Sequence, residues 1–318
     1  MLSVLPTPAG DAPDATAVWI DLLRAEPAEV AQVEALTGLH VPSRPELEEI
    51  ESSSRLAERD GALYLTYPAA KRDDTGETRT TPVGFVLTRD RLLTVRFDEM
   101  LGFDSFAARC RSGERRAGSG IEVFVGLCEV IIDRLADVLE REGDGLDRAS
   151  HRIFRHGGKD APPPRKADAE LRAVLRNIGH AGDLISKIRD TLLGLGRILP
   201  YVQVMAKDWT SAELRARLKT MRADIQSLTD YNLHLANKVQ FLLDATLGYI
   251  NIEQNNIIRV LTVVSVVGVP PTFVASMYGM NFEGMPELHW HYGYAYALAL
   301  ILVSAVLPLL WFRVRGWL

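Results

Sequence analysis

Apolar positions along this chain follow first a period of two, then a period near 3.6, and finally no period, because charge disappears. Ala17 to Leu22 predicts a short strand, and Pro27 to Leu36 a helix. Gly61 to Tyr67 and Thr81 to Phe97 alternate as strands do. Arg89-Asp90 predicts a hairpin turn between Phe85-Val86-Leu87 and Leu92-Leu93-Thr94-Val95, and polar Asp73 to Thr80 an exposed loop. From Ile121 to Glu140 the pattern turns helical, with Val125, Cys128, Ile132, Leu135 and Leu139 on one face. Pro162-Pro163-Pro164 breaks the chain, and a further helix is predicted from Asp168 to Met205.

Thr210 and Glu213 have capping-box spacing, which makes Thr210 the expected N-cap of the next helix. Behind them Leu214, Leu218, Met221, Ile225, Leu228, Asn232, Leu235, Val239 and Leu242 alternate by four and three. That is a heptad seam, suited to a coiled coil, a bundle, or packing of the helix on its own domain. No proline or turn signal interrupts Ser211 to Val269, so stalk helix and first apolar run are expected to be continuous.

Between Arg259 and Glu283 lies an uncharged run of about 23 residues, and a second from Tyr292 to Phe312 of about 20, each long enough to cross a bilayer. Trp290, Tyr292 and Tyr294 flank the second run on one side, Trp311 and Trp317 on the other, as interfacial aromatics do. Arg259, Arg313 and Arg315 lie at the outer flanks of the pair. The short loop between the runs has no Lys or Arg but holds Glu283 and Glu287. The positive-inside rule then places both termini in the cytoplasm. The expected division is a cytoplasmic α+β domain over 1–165, a helical region with the stalk over 166–256, and a first transmembrane helix over 257–281. An outer loop over 282–291, a second transmembrane helix over 292–312 and a basic tail over 313–318 complete it.

Two helices cannot enclose a water-filled path, so conduction requires several copies around an axis. Projected at about 100° per residue, Thr262, Ser265, Thr272 and Ser276 of the first run fall within an arc of roughly 80°. Ile258 and Val269 share the arc, and Asn255, Asn251 and Asp244 continue its phase backwards. Such a polar stripe with apolar rings is what a pore face needs. Membrane Ser and Thr also bond their own backbone or glue helices together, and that second reading stays open. The stripe holds no carboxylate between the two flanks, and hydroxyls and amides hold a hydrated divalent ion without gripping it.

Composition narrows the picture. The net charge of −5 argues against a nucleic-acid partner bound through a basic surface. Cys110 and Cys128 stand alone and read as buried or half-buried free thiols. Met1 to Ala17 lacks the pattern of a signal peptide. Neither a P-loop nor a dinucleotide fingerprint nor a catalytic dyad is apparent, so an enzyme and an organic cofactor are not expected.

At the end of the first run stands Tyr278-Gly279-Met280-Asn281-Phe282, followed by Met285-Pro286-Glu287-Leu288. Together with Ile-Asn-Ile-Glu-Gln-Asn over 250–255, Pro270-Pro271-Thr272 and terminal Trp317-Leu318, this resembles the CorA family of magnesium transporters. The strong resemblance covers about the last third of the chain. It implies a homopentamer in a bacterial-type inner membrane, with an α/β/α sandwich funnel, a long stalk helix and a pore lined by the first span. Mg²⁺ is the implied transported and regulatory ion, with Co²⁺ and Ni²⁺ as further cargo, and membrane lipid is the implied surrounding. Carried over, Gly279, Met280 and Asn281 form the selectivity ring, and Asn255, Ile258, Leu261, Val269 and Thr272 fall on family pore positions. Asp244 matches an acidic position at the inner mouth. Glu283 and Glu287 either concentrate cations at the outer mouth or belong to an ordinary solvated loop. Asp224 and Asp230 are candidates for a regulatory Mg²⁺ site, although Thr220 falls nearest the family's aspartate and a solvated stalk face explains both acids. The rivals are a Zn²⁺ or other transition-metal transporter of the ZntB branch, which typically departs from Gly-Met-Asn, and a membrane-anchored cytoplasmic sensor.

Overall fold

The computed structural model describes residues 2–5, 16–49, 51, 55–72, 77–115, 118–155, 164–281 and 284–317. The chain divides into two compact units, Met1–Leu243 and Asp244–Leu318.

The first unit is built on a six-stranded sheet. Its strands are β1 (Leu2–Leu5), β2 (Trp19–Leu23), β3 (Leu56–Arg59), β4 (Ala62–Arg72), β5 (Thr78–Leu87) and β6 (Leu92–Arg96), in the order β1-β2-β6-β5-β4-β3. Only β2 and β6 pair in parallel; the other pairings are antiparallel. Among the described residues the helices are α1 (Pro27–Thr37), α2 (Arg44–Glu48), α3 (Leu101–Arg111), α4 (Gly120–Arg155) and α5 (Pro164–Met205). A 3-10 turn, Lys207–Trp209, leads to α6 (Ala212–Tyr278), and α7 (Gly293–Val314) lies in the second unit.

Period-two alternation decides what each sheet face packs against. Ile20 and Leu22, Ala62, Val86, Leu93 and Val95 point to one side, where Val33 of α1 and Leu47 of α2 complete a core. Trp19, Leu63, Leu65, Tyr67 and Phe85 point to the other side, where they meet Phe103, Phe106 and Phe124 from α3 and α4. Helices on both faces make the α/β/α sandwich expected of the fold class. On α5, a Cβ at Gly194 would come 2.8 Å from that of Tyr67, so glycine lets the helix lie directly on β4.

The second face also buries charge. Arg96 donates to both carboxylate oxygens of Asp21, at 2.8 Å from Nη2, and to Asp104 at 3.0 Å. Thr94 donates to Asp21 at 2.6 Å while accepting from the Trp19 indole at 3.1 Å. A buried ion pair is tolerated when its remaining hydrogen-bonding sites are filled in this way.

Several boundaries move. The strand expected over Ala17 to Leu22 is β2, Trp19–Leu23, and the helix expected to end at Glu140 runs on to Arg155. Part of the loop expected over 73–80 is strand, since Thr78–Thr80 belong to β5; 73–76 lie outside the described residues, as do Pro162 and Pro163. Pro164 opens α5, where its missing N–H costs nothing. The turn at Arg89-Asp90 is present, closed by Leu87 opposite Leu92. Thr210 is not the N-cap of α6. Its hydroxyl turns back to the carbonyls of Ala206 and Lys207, 2.7 and 3.1 Å away. Ser211 takes the role instead, accepting from the Leu214 N–H at 3.2 Å. Behind it the seam is buried at Leu214, Leu218, Met221, Ile225, Asn232, Leu235 and Leu242. Cys110 is half-buried, Cys128 buried, and neither is paired.

Candidate functional site

The described part of the second unit holds the C-terminal part of α6, a loop, and α7. Both α6 and α7 are long and apolar enough to cross a membrane. α6 continues through Pro270 and Pro271 without a break in its assignment.

Within this unit α6 has two faces. Val263, Val267, Pro270, Pro271, Val274 and Tyr278 are half-buried, at helical spacing. Ile258, Leu261, Ser265, Val269, Thr272 and Ser276 are exposed, as are Asp244, Asn251 and Asn255 before them. At about 100° per residue the two sets centre roughly 170° apart. The polar stripe therefore occupies the face that its own unit leaves uncovered. Thr262 alone of the stripe is half-buried, at its edge. Thr262 and Thr272 donate to the carbonyls of Ile258 and Gly268, each at 2.7 Å. The backbone-bonding reading thus holds for these two hydroxyls, and it is compatible with a path: each oxygen keeps its lone pairs for a second partner.

α6 ends at Tyr278. The Gly279 N–H donates to Ala275 at 3.0 Å, and a Cβ there would lie 3.2 Å from the same carbonyl. Gly279 is therefore a position of close approach rather than of left-handed backbone. Met280 and Asn281 follow, both exposed. Glu283 lies outside the described residues, whereas Glu287 is half-buried in the 3-10 turn Pro286–His289. One residue was missed in the sequence: Gly293 packs directly on the Glu287 carbonyl, leaving no room for a Cβ, and its N–H donates to Trp290 at 2.9 Å. Glycine at the first position of α7 is the only signal that could have marked it. At the other end, Arg259 stacks 5.6 Å over the Trp317 ring, which itself lies on buried Phe312.

The stalk acids are in the first unit. Asp224 and Asp230, six residues apart, are both exposed and on different faces of α6. Asp230 accepts from Gln226 at 3.1 Å. Asp224 belongs to a carboxylate group that sequence did not single out. Asp133 on α4 has its carboxyl pushed above the usual range by partial burial, then by the charges of Glu129, Asp137 and Asp224. Beside it Glu129 is held low despite burial, because Arg217 donates to it at 2.7 Å and Arg115 at 2.8 Å. Among the described residues no three His, Cys, Asp or Glu side chains converge closely enough to hold a metal ion.

Residues 14–313 match the profile of the CorA-like Mg²⁺ transporter proteins. The magnesium transport protein CorA of Escherichia coli (strain K12) is 36% identical over 306 residues, 96% of this chain and 93% of that protein. Among solved structures, the complete CorA magnesium transporter from Methanocaldococcus jannaschii aligns with a TM-score of 0.76 at 20% identity, covering 94% of this chain and 91% of that one. The full-length CmaX protein aligns with a TM-score of 0.68 at 17% identity, covering 98% and 91%. The two structural likenesses concern the fold.

Proposed function

The chain belongs to the CorA-like Mg²⁺ transporter family, and from that membership we propose that it is the subunit of a homopentameric channel carrying Mg²⁺ inward across a bacterial-type inner membrane. As a member of a transporter family it is not an enzyme. Both termini face the cytoplasm in this reading, with 257–281 as the pore-lining span, 282–291 as the outer loop and 292–312 as the span toward lipid. The observation that carries it is the placement of the hydroxyl stripe on the face of α6 left uncovered by its own unit. A second copy has to meet that face, and a ring of copies turns it inward.

In this reading Gly279, Met280 and Asn281 form the outer selectivity ring, with the Asn281 carbonyl offered to the water shell of the arriving ion. Glu283 and Glu287 raise the local cation concentration in proportion to the number of subunits. Asn251, Asn255, Thr262, Ser265, Thr272 and Ser276 accept hydrogen bonds from a hydrated ion, Asp244 draws it onward, and Ile258, Leu261 and Val269 form apolar constrictions that dewet when closed. Entry needs no nucleotide: a divalent ion gains about 4.6 kcal/mol per 100 mV of inside-negative potential. Co²⁺ and Ni²⁺ follow the same path. Cytoplasmic Mg²⁺ closes it by relieving repulsion among stalk acids, with Asp224, beside Asp133 and Asp137, better supported for this role than Asp230.

The test is Mg²⁺ influx into proteoliposomes under an imposed inside-negative potential, wild type against Asn281→Ala. Potential-driven influx abolished by the substitution is the expected result. No influx by the wild type at low internal Mg²⁺ sinks the proposal, and Zn²⁺ influx in its place moves the protein to the ZntB-like reading.

A further inference from the structure

The start of the first apolar run and the end of α7 meet through an unbroken series of ring contacts. α7 closes with a left-handed residue, Gly316 at φ 71°, and the chain then folds back. The Gly316 N–H donates to the Arg313 carbonyl at 3.1 Å, and the Trp317 N–H to that of Phe312 at 3.0 Å. This is a Schellman closure, and the apolar contact that accompanies such a closure is present: the Trp317 ring stacks on Phe312 at 5.5 Å. Arg259 of α6 lies 5.6 Å over the same Trp317 ring. Arg315 lies 5.3 Å over Trp311, itself 5.1 Å from Phe312. Two guanidinium groups therefore bracket three aromatic rings.

Charge at this joint is one-sided. Arg259, Arg313 and Arg315 are exposed, and among the described residues none of them pairs with a carboxylate. No Asp or Glu occurs between Glu253 and Glu283, or after Glu287. Glu253 precedes Arg259 by six residues, about 9 Å along the helix axis. The macrodipole favours basic residues in the last turn of α7, which accounts for Arg313 and Arg315 but not for Arg259. Arg259, one turn before half-buried Val263, also lies outside the arc of the hydroxyl stripe. Stacked on an indole, a guanidinium keeps its N–H edge free for an oxyanion. The indole N–H groups of Trp311 and Trp317, rings 52% and 42% exposed, have no acceptor among the described residues. The surface beside them is apolar, with Val260, Leu307 and Leu310 each more than half exposed.

A soluble anion would meet the guanidinium groups and leave this apolar surface bare. A zwitterionic headgroup would bring an ammonium that finds no carboxylate here. We propose that the joint of the two spans binds an anionic glycerophospholipid. Phosphate oxygens accept hydrogen bonds from the arginine and indole N–H groups, while the acyl chains lie along Val260, Leu307 and Leu310. The inference rests on both helices spanning a bilayer, not on what passes between copies.

Native mass spectrometry of the full chain released from detergent tests this, with phosphatidylglycerol and phosphatidylethanolamine of identical acyl chains titrated in turn. Phosphatidylglycerol is expected to bind at least about tenfold more tightly. Arg259→Gln combined with Arg315→Gln should erase that preference. Losing two flanking arginines also alters the signals that orient the spans, so Trp317→Leu supplies a second route. It keeps every charge, removes the platform under Arg259, and should weaken phosphatidylglycerol about threefold. Arg172→Gln with Arg176→Gln, exposed on α5, should leave the preference intact. Equal affinity of the wild type for the two lipids overturns the proposal, as does an undiminished preference in both joint variants. So does equal loss in the α5 pair, which would mean that net charge alone selects the lipid. Displacement by excess glycerol phosphate assigns the site to a soluble anion and overturns it too. If the arginine variant dissociates the wild-type assembly and keeps the preference, the partners are carboxylates of a second copy instead. Mg²⁺ influx is not read, so failed transport leaves the lipid result standing, whereas a wild-type chain recovered apart from membranes overturns the premise itself.

Discussion

The two units solve opposite solvation problems. In Met1–Leu243 aromatic and aliphatic side chains turn inward, and charge is either exposed or locked, as Arg96 is on Asp21. In Asp244–Leu318 large apolar side chains turn outward, with Val264, Phe273, Leu302 and Leu307 each more than 60% exposed. Such a surface is stable only if its solvent is hydrocarbon or another copy. The comparison shows that a polar stripe means different things in the two places. On a water-facing helix it is the default, whereas on an apolar helix it needs a reason, and in the proposed channel that reason is a face that meets water.

Ways to break this contrast can be ranked by expected effect. Phe124→Ala in the fully buried core of the first unit should cost about 3–5 kcal/mol in denaturant unfolding. Phe273→Ala, 67% exposed in the second, should leave that transition within roughly 0.5 kcal/mol. Equal losses would dissolve the distinction. Next, Leu302→Arg near the middle of α7 should cost about 2.5–3.5 kcal/mol of membrane insertion, read as loss of glycosylation-tagged integration in a translocon assay. Insertion at wild-type level would mean that α7 does not face lipid.

Arg217→Ala removes one of two partners of the half-buried Glu129 and should destabilise the first unit by about 1–3 kcal/mol. Acid sharpens this case. The Glu129 carboxyl is pushed up by burial but pulled down further by Arg217 and Arg115, so its net pKa lies below that of an unfolded-chain glutamate. Its contribution is complete above the ordinary glutamate range and fades as pH falls through the depressed value. Glu129→Gln should therefore flatten the acid limb of the stability–pH curve, measured by chemical denaturation, and an unchanged limb would assign that limb to other acids. Among the losses, the smallest falls on Ser211→Ala, about 1 kcal/mol in chemical denaturation through loss of the α6 cap, while Thr210→Ala leaves the Leu214 N–H satisfied.

Much of this was legible in the sequence. The seam from Leu214 to Leu242, the hairpin at Arg89-Asp90 and both apolar helices are written as periodicity, turn chemistry and absence of charge. The stripe was legible too, although that its face lies opposite the covered one required coordinates. What escaped depends on partners distant in sequence. α3 carries Phe103 and Phe106 into the core from a stretch with charged neighbours, and β1 is strand only because β2 offers it an edge. Thr210 and Ser211 are adjacent hydroxyls, and which one caps is set by the preceding 3-10 turn at Lys207–Trp209. Gly293 looks like any glycine before a helix until the Glu287 carbonyl is seen against it.

The hydroxyl hydrogens of Thr262 and Thr272 are spent on their own helix. What remains, at Thr272 on the uncovered side and at Thr262 on its edge, is an acceptor with no donor. A hydrated cation turns water hydrogens outward, whereas a hydrated anion turns its water hydrogens inward and presents oxygen. In the proposed ring of subunits such threonines would greet the first and have nothing to offer the second. A wall of that kind would discriminate by the orientation of a water molecule, without a single formal charge.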